Sequence, residues 1–175
     1  MAPWLRLCKM ALGAPFREKL GWRDESRLDF RVWPNDLDIN LHMNNARYLA
    51  VMDIGRIDLA IRCGLARLVW RDKLKPVVAS AMVRFRRSLA PFARFTLRSR
   101  VLGWDEKWVF IEHNIERGGE LYCQAIVKTL FLGRNGAVPT RELLDAVSAR
   151  APAIELPAWI AQWQAAEAGA RDQAW

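Results

Sequence analysis

Apolar and polar residues first alternate strictly over residues 28–32, which read Leu-Asp-Phe-Arg-Val. This period of two predicts a β-strand with one buried face. Pro34 and the Asn and Asp residues around it are typical of a turn, so the strand is expected to end there.

The pattern then takes the period of a helix over residues 45–63, and Gly64 is a natural end for it. Apolar residues recur at three- and four-residue steps, at Leu49, Met52, Ile57, Ala60 and Ile61. Others lie off that stripe, at Val51, Ile54 and Leu59. A helix that is apolar nearly all round is expected to be buried.

Four more strands are predicted, over residues 77–88, 94–102, 108–115 and 121–132. Gly118-Gly119 predicts a tight hairpin between the last two, and residues 133–136 close the sheet. Two helical patterns follow, over residues 141–150 and 156–170. A strand, a long buried helix and four antiparallel strands together predict an α+β fold, with the sheet wrapped around the helix.

The chain has 175 residues, of which 52% are hydrophobic, so it can build the core of one domain of common size. We divide it into a basic N-terminal segment (1–25), a central domain (26–136) and a helical tail (137–175). Residues 1–20 lack the long apolar centre of a signal peptide. They are expected to form a helix that packs on the domain or on a partner, and peripheral contact with a membrane is the alternative.

Cys8, Cys63 and Cys123 are odd in number and widely spaced, so they predict neither a disulfide framework nor a metal site. Each lies among apolar residues, which favours a small buried side chain over a reactive thiol. A reducing, cytoplasmic location fits best. We expect no metal and no cofactor.

The net charge of +8 is concentrated in one segment, because residues 73–104 contain eight basic residues and no acidic one. The basic residues are Lys73, Lys75, Arg84, Arg86, Arg87, Arg94, Arg98 and Arg100. Such a segment attracts phosphate groups, so nucleic acid and a phosphorylated carrier such as coenzyme A are both candidate partners. No nucleic-acid-binding motif accompanies it, which disfavours the first. A solvated sheet face is the competing interpretation.

The candidate chemistry lies directly before the long helix, where a carboxylate, an amide and an imidazole occur at Asp38, Asn40 and His42. Asp38 can act as a base or a nucleophile, and His42 can move a proton near neutral pH. Asn44 and Asn45 follow at once, and one of them is expected to cap the helix. The N-terminus of a helix carries unpaired N–H groups and partial positive charge, so it can polarise a carbonyl.

The segment from Asp36 to Tyr48 resembles the motif D-x-D-x-x-x-H-x-N-N-x-x-Y of the hotdog-fold thioesterase superfamily. Its part from Asp38 to Asn45 is similar to the D-x-N-x-H-x-N-N run of acyl-carrier-protein thioesterases. The resemblance covers roughly residues 27–133. It implies a hotdog fold, a thioester hydrolase, and catalytic roles for Asp38, Asn40 and His42.

The chain departs from this family pattern at two positions. Leu41 stands where many acyl-CoA relatives have Gly before the His. Asp53 stands where relatives often have Glu on the helix, and an ion pair with Arg56 at helical spacing is its competing interpretation. Hotdog hydratases resemble D-x-N-P-x-H, but here Asp38 and His42 are four residues apart without a Pro, which disfavours hydration.

The resemblance therefore implies hydrolysis of acyl thioesters, with acyl-CoA as the leading substrate. An acyl-carrier protein is the near alternative, because it is acidic and would suit the same basic segment. A non-catalytic protein that binds acyl thioesters also remains open. The resemblance further implies a homodimer or tetramer with the site between subunits. Substrate contacts are expected from Asn44, Asn45, Tyr48, Asp53, Arg84 and Arg86.

Overall fold

The computed structural model describes residues 3–147 and 155–171. The helices are α1 (Pro3–Gly13), α2 (Asn45–Arg62), α3 (Leu65–Arg71), α4 (Thr140–Val147) and α5 (Ala158–Arg171). The strands are β1 (Ser26–Arg31), β2 (Lys75–Phe85), β3 (Arg94–Trp104), β4 (Val109–Arg117), β5 (Glu120–Gly133) and β6 (Gly136–Ala137). The predicted strand, helix and four-strand order is confirmed. Helix α3 was not predicted, and the end of the 141–150 helix lies outside the described residues.

The strands form one antiparallel sheet in the order β1-β3-β4-β5-β2, and the short β6 pairs with β5. One face of the sheet packs on α2 and forms the main core. Met52 and Val51 of the helix meet Leu97 of β3 and Ile115 of β4 there. The α+β arrangement of a sheet around a long helix is therefore confirmed.

Only one face of α2 is buried, so the prediction of a helix buried all round is wrong. The buried residues are Tyr48, Val51, Met52, Ile54, Gly55, Asp58 and Leu59. Leu49 and Ile57 of the predicted stripe are instead exposed. The sheet approaches closely at Gly55, where a Cβ atom would meet Ser99 Oγ and lie 2.6 Å from Leu97 Cδ2.

Strand β2 lies at one edge of the sheet, and among the described residues it pairs with β5 alone. Its predicted alternation does not produce a buried face, because most of its residues are exposed on both sides. Val83 is half-buried and Phe85 packs edge-on against Tyr48. The edge position explains the difference, since few groups lie over this strand within the part of the chain that the structure describes.

The two terminal regions pack on opposite faces of the sheet layer. Met10 and Ala14 at the N-terminus contact Leu28 and Ile54, on the side of α2. Ile160 of α5 instead joins a cluster on the other face of the sheet, with Phe110, Ile126, Leu102, Trp108, Leu156 and Trp163. The prediction that residues 1–20 pack as a helix on the domain is thus confirmed, although α1 ends at Gly13.

The three cysteines do not share one environment. Cys123 is buried and Cys63 is half-buried, but Cys8 is exposed on α1, so the prediction of a buried Cys8 is wrong. Burial raises the pKa of the Cys63 thiol, and it raises that of Cys123 to about 12. In the described residues no helix has the length and apolar character needed to cross a membrane.

Candidate active site

The polar segment before α2 folds as a short loop tied at its base. A 3-10 turn over Pro34–Asp36 leads into it, and an antiparallel bridge joins Leu37 to Met43. The Asp38 N–H donates to the His42 carbonyl at 2.9 Å, and the Met43 N–H donates to the Leu89 carbonyl at 2.9 Å. The loop therefore holds Asp38, Asn40 and His42 together beside the N-terminus of α2.

One oxygen of the Asp38 carboxylate orders this loop. Oδ1 accepts the Asn40 N–H at 2.9 Å and the His42 N–H at 3.4 Å. Within residues 3–147 and 155–171, Oδ2 has no hydrogen-bond partner in the protein. The Asn40 and His42 side chains are exposed. Asp38 is thus held in a fixed orientation with one oxygen left for a substrate or a water.

Leu41 adopts the left-handed conformation, with φ +58°. This region is disfavoured for a residue with a branched side chain and is natural for glycine. Leu41 therefore occupies a backbone conformation that a Gly at this position would adopt without strain. Leu41 and its neighbour Ile39 are both exposed, so their side chains point away from the core.

Asn44 is the N-cap of α2, as expected for one of the two asparagines. Its Oδ1 accepts the Ala46 N–H at 2.9 Å, and its own N–H donates to the Asp36 carbonyl at 2.8 Å. Asn45 begins the helix and is exposed. The cap satisfies one of the unpaired N–H groups, and the end of the helix remains positively polarised toward the loop.

Tyr48 anchors the first turn of α2 rather than facing solvent. It is buried, and its hydroxyl oxygen accepts the Leu89 N–H at 3.3 Å. Burial raises the pKa of Tyr48 to about 12, and the nearby negative charge of Asp38 contributes in the same direction. The phenol therefore stays neutral at physiological pH. It positions the start of α2 against the segment around Leu89 that follows β2.

Asp36 has a role that its position in the motif did not reveal. It is fully buried and forms an ion pair with Arg6 of α1, which is also buried. Its Oδ2 additionally accepts the Trp33 N–H at 2.8 Å. The Arg6 guanidinium also donates to the Arg31 carbonyl at 2.9 Å. This cluster fastens α1 to the base of the candidate catalytic loop.

Asp53 lies away from this loop, at a cavity of about 780 Å³ between α2, α3 and the sheet. It forms the expected ion pair with Arg56, whose pKa burial lowers to about 10. The rest of the wall is largely apolar and includes Ile57, Val69, Trp70, Val101, Ile111 and Phe131. In the single chain the cavity does not reach Asp38, Asn40 or His42, so the structure separates Asp53 from them.

The basic segment does not act as one positive surface. Arg98 pairs with Glu25 and Glu116, and Arg100 pairs with Glu112. The acidic partners come from β4 and from the residue before β1. These arginines of β3 therefore fit the competing interpretation of a solvated sheet face, in which the charges are paired within the protein. Arg84 and Arg86 remain exposed on and just beyond β2. Neither lines the cavity, so their contact with a substrate stays a prediction.

A buried serine and histidine form a polar pair that no pattern in the sequence predicted. Ser99 Oγ and His113 Nδ1 lie 2.8 Å apart, and both residues are fully buried between the sheet and α2. Nε2 of His113 has no hydrogen-bond partner in the described part of the chain. Burial, reinforced by the positive charge of Arg56, lowers the pKa of His113 to about 3.

This burial makes the stability of the protein depend on pH. In the unfolded chain His113 is protonated below about pH 6.5. In the folded chain it stays neutral down to about pH 3, so the unfolded state binds one more proton between these values. Each pH unit in that window lowers the free energy of unfolding by at most about 1.4 kcal/mol. Replacing His113 by Gln is expected to flatten the fall in stability between pH 7 and pH 5, measured by urea unfolding.

His42→Gln is the matched control, because His42 and His113 are the two histidines of the chain and His42 is exposed. It should leave the pH dependence of unfolding as in the wild type. Parallel curves for the wild type and His113→Gln would contradict a buried neutral His113.

Comparison with known proteins shows what this chain is similar to. Residues 32–164 match the family model described as the thioesterase-like superfamily. Protein THEM6 of Danio rerio is 34% identical over 124 residues, which are 71% of this chain and 59% of that protein. A probable thioesterase of Saccharomyces cerevisiae is 25% identical over 133 residues, which are 74% of this chain and 57% of that protein.

The fold has close counterparts among solved structures. A probable thioesterase from Bartonella henselae superposes with a TM-score of 0.59 at 25% identity, over 66% of this chain and 97% of that protein. The hotdog fold expected from the resemblance is thereby confirmed. This chain spans less than two thirds of the length of the two curated relatives.

Proposed function

The chain belongs to the thioesterase-like superfamily, and on that basis we propose that it hydrolyses acyl thioesters to a free acid and a thiol. The observation that carries the proposal is the loop that holds Asp38, Asn40 and His42 beside the N-terminus of α2. Asp38 Oδ1 is fixed by two backbone N–H groups, and Oδ2 has no hydrogen-bond partner among the described residues. A fixed carboxylate beside a polarising helix end is an arrangement suited to acyl transfer to water.

In the proposed reaction, the thioester carbonyl oxygen lies toward the N-terminus of α2, where partial positive charge stabilises the oxyanion. Asp38 either removes a proton from the attacking water or attacks the carbonyl carbon itself. The C–S bond then breaks, and the thiolate leaves and is protonated. Where Asp38 is the nucleophile, water hydrolyses the resulting mixed anhydride, which releases the acid and restores the Asp38 carboxylate. Asn40 orients the carbonyl, and His42 assists the proton transfer to the sulfur.

We propose acyl-CoA as the substrate, with the acyl group in the cavity beside α2 and the catalytic loop supplied by a second copy of the chain, because the cavity of one chain does not reach its own Asp38. The cavity volume of about 780 Å³ is in the range of small-molecule sites, and its walls are largely apolar. Asp53 and Arg56 are among its few polar lining residues. A panel of acyl-CoA esters of increasing chain length, assayed for thiol release, tests this directly. If no thiol is released from any acyl-CoA ester or from an acyl thioester of the carrier protein, the protein binds acyl thioesters without hydrolysing them.

Arg84 and Arg86 are proposed to bind the phosphates of the carrier. Both are exposed, and salt screens contacts between exposed charges over about 10 Å at 0.1 M. The Michaelis constant for acyl-CoA is therefore expected to rise with ionic strength, and to rise less for an acyl-pantetheine without the nucleotide. Charge reversal, Arg84→Glu or Arg86→Glu, should impair acyl-CoA turnover and spare the truncated thioester.

Arg134→Glu serves as the control, because Arg134 is an exposed arginine in the turn between β5 and β6. Phosphate binding by Arg84 and Arg86 is contradicted if the Michaelis constants for acyl-CoA and acyl-pantetheine rise equally with ionic strength. If the two variants impair only the acyl-carrier-protein ester, the carrier protein rather than CoA is the substrate.

We also propose that the protein is a homodimer or a tetramer. Strand β2 is an exposed edge of 11 residues that carries Val77, Val78, Met82 and Phe85 at the surface. Long apolar edges of this kind are usually paired or covered, and a second copy of the strand can pair with it. Such pairing would also bring a second subunit beside the substrate site.

The expected result is a dimer or larger by light scattering at micromolar concentration. Met82→Lys places a charge on the edge strand at a residue that does not line the cavity, and should shift the assembly toward monomer while lowering activity. Lys substitution of Ala146, an exposed residue of α4, is the control and should leave the assembly unchanged. A fully active wild-type monomer would refute the proposal.

A further inference from the structure

Helix α1 has an outward apolar face that nothing in the described chain covers. We define the outer face of α1 as the exposed residues Trp4, Leu5, Cys8, Lys9 and Leu12, together with Phe16 in the turn that follows. Phe16 is 91% exposed, Leu12 75% and Trp4 63%. These residues recur at three- and four-residue steps, so they form one stripe along the helix.

The opposite face of α1 is firmly attached to the domain. Met10 and Ala14 are buried against Leu28 and Ile54. Arg6 forms the buried ion pair with Asp36. The helix therefore cannot rotate to hide its outer face without breaking that ion pair and exposing Met10.

We propose that the outer face of α1 docks the protein on an anionic lipid bilayer. Trp, Phe and Leu on one face of a short amphipathic helix are the residues that insert at the boundary of headgroups and acyl chains. Residues 1–17 contain no acidic residue, and Lys9 lies on the outer face itself. Just beyond it, the exposed Lys19 and Arg23 are offset by the exposed Glu18 and Asp24, so Lys9 supplies the positive charge of this surface. This charge is complementary to anionic headgroups.

The ion pair between Arg6 and Asp36 connects the outer face of α1 to the candidate catalytic loop. Asp36 accepts from Arg6 through its side chain and from the Asn44 N–H through its carbonyl. The membrane-facing helix is thus joined to the base of the loop that carries Asp38 and His42. Docking through the outer face of α1 would hold this loop at a fixed distance from the bilayer.

The test uses the full chain and flotation with phosphatidylcholine vesicles prepared with and without phosphatidylglycerol. The wild type should float with the anionic vesicles, and less so as salt is raised. The double variant Leu12→Glu, Phe16→Glu should lower the partition coefficient about tenfold or more, because two exposed apolar side chains no longer insert. Lys9→Glu should weaken only the binding to anionic vesicles.

Trp159→Glu is the matched control, because Trp159 is an exposed aromatic residue on α5, whose Ile160 packs on the other face of the sheet. It should float like the wild type, and circular dichroism should show that all variants are folded. Two results would overturn the proposal: failure of the wild type to bind either vesicle, or unchanged binding by the double variant. A dimer that dissociates in the double variant would instead assign this face to a second copy.

Discussion

Asp38→Asn is expected to abolish most thioester hydrolysis while the protein stays folded. The amide oxygen of Asn can still accept the N–H groups of Asn40 and His42, so the loop geometry is preserved. The substituted side chain can neither remove a proton from water nor attack a carbonyl. Removing a positioned general base lowers the rate by on the order of 10²–10⁴-fold.

Asp38→Ala separates catalysis from loop structure. This variant loses the carboxylate and also leaves the Asn40 and His42 N–H groups without their acceptor. Activity should fall to the level of Asp38→Asn or below, and the loop should become more sensitive to protease. Thiol release on the acyl-CoA panel and limited proteolysis make the comparison. Near-wild-type turnover by folded Asp38→Asn would remove Asp38 from the reaction.

Arg6→Met is expected to be among the most destabilising single substitutions in this chain. It leaves the Asp36 carboxylate fully buried without its cationic partner. Breaking a buried ion pair on one side typically lowers the free energy of unfolding by roughly 3–5 kcal/mol. For a chain of this size that corresponds to a fall in Tm on the order of 10 °C. Urea unfolding and differential scanning calorimetry would measure both.

The double variant Arg6→Met, Asp36→Asn removes both charges and should recover much of the lost stability, since no uncompensated ion remains. Arg87→Met is the control, because Arg87 and Glu120 form an ion pair that is more than half exposed. That substitution should lower stability by less than about 1 kcal/mol. Equal effects of Arg6→Met and Arg87→Met would show that the Arg6 pair is no more than a surface contact.

The periodicity of the sequence determined the elements that carry the site. The alternation over 28–32 predicted β1, and the helical steps over 45–63 predicted α2 to within one residue of its observed end at Arg62. The run of polar residues before α2 predicted the loop and its Asn cap. These features depend on neighbours in sequence, so local patterns suffice to predict them.

The tertiary structure alone decided which polar residues work together. Asp36 pairs with Arg6 thirty positions earlier, and Ser99 meets His113 across two strands. The sheet covers one face of α2, and Glu112 and Glu116 neutralise arginines of β3 that looked unpaired along the chain. Each of these contacts depends on strand register and on how distant segments pack. A pattern of neighbouring residues does not determine the register or the packing of distant segments, because the same alternation is compatible with many registers.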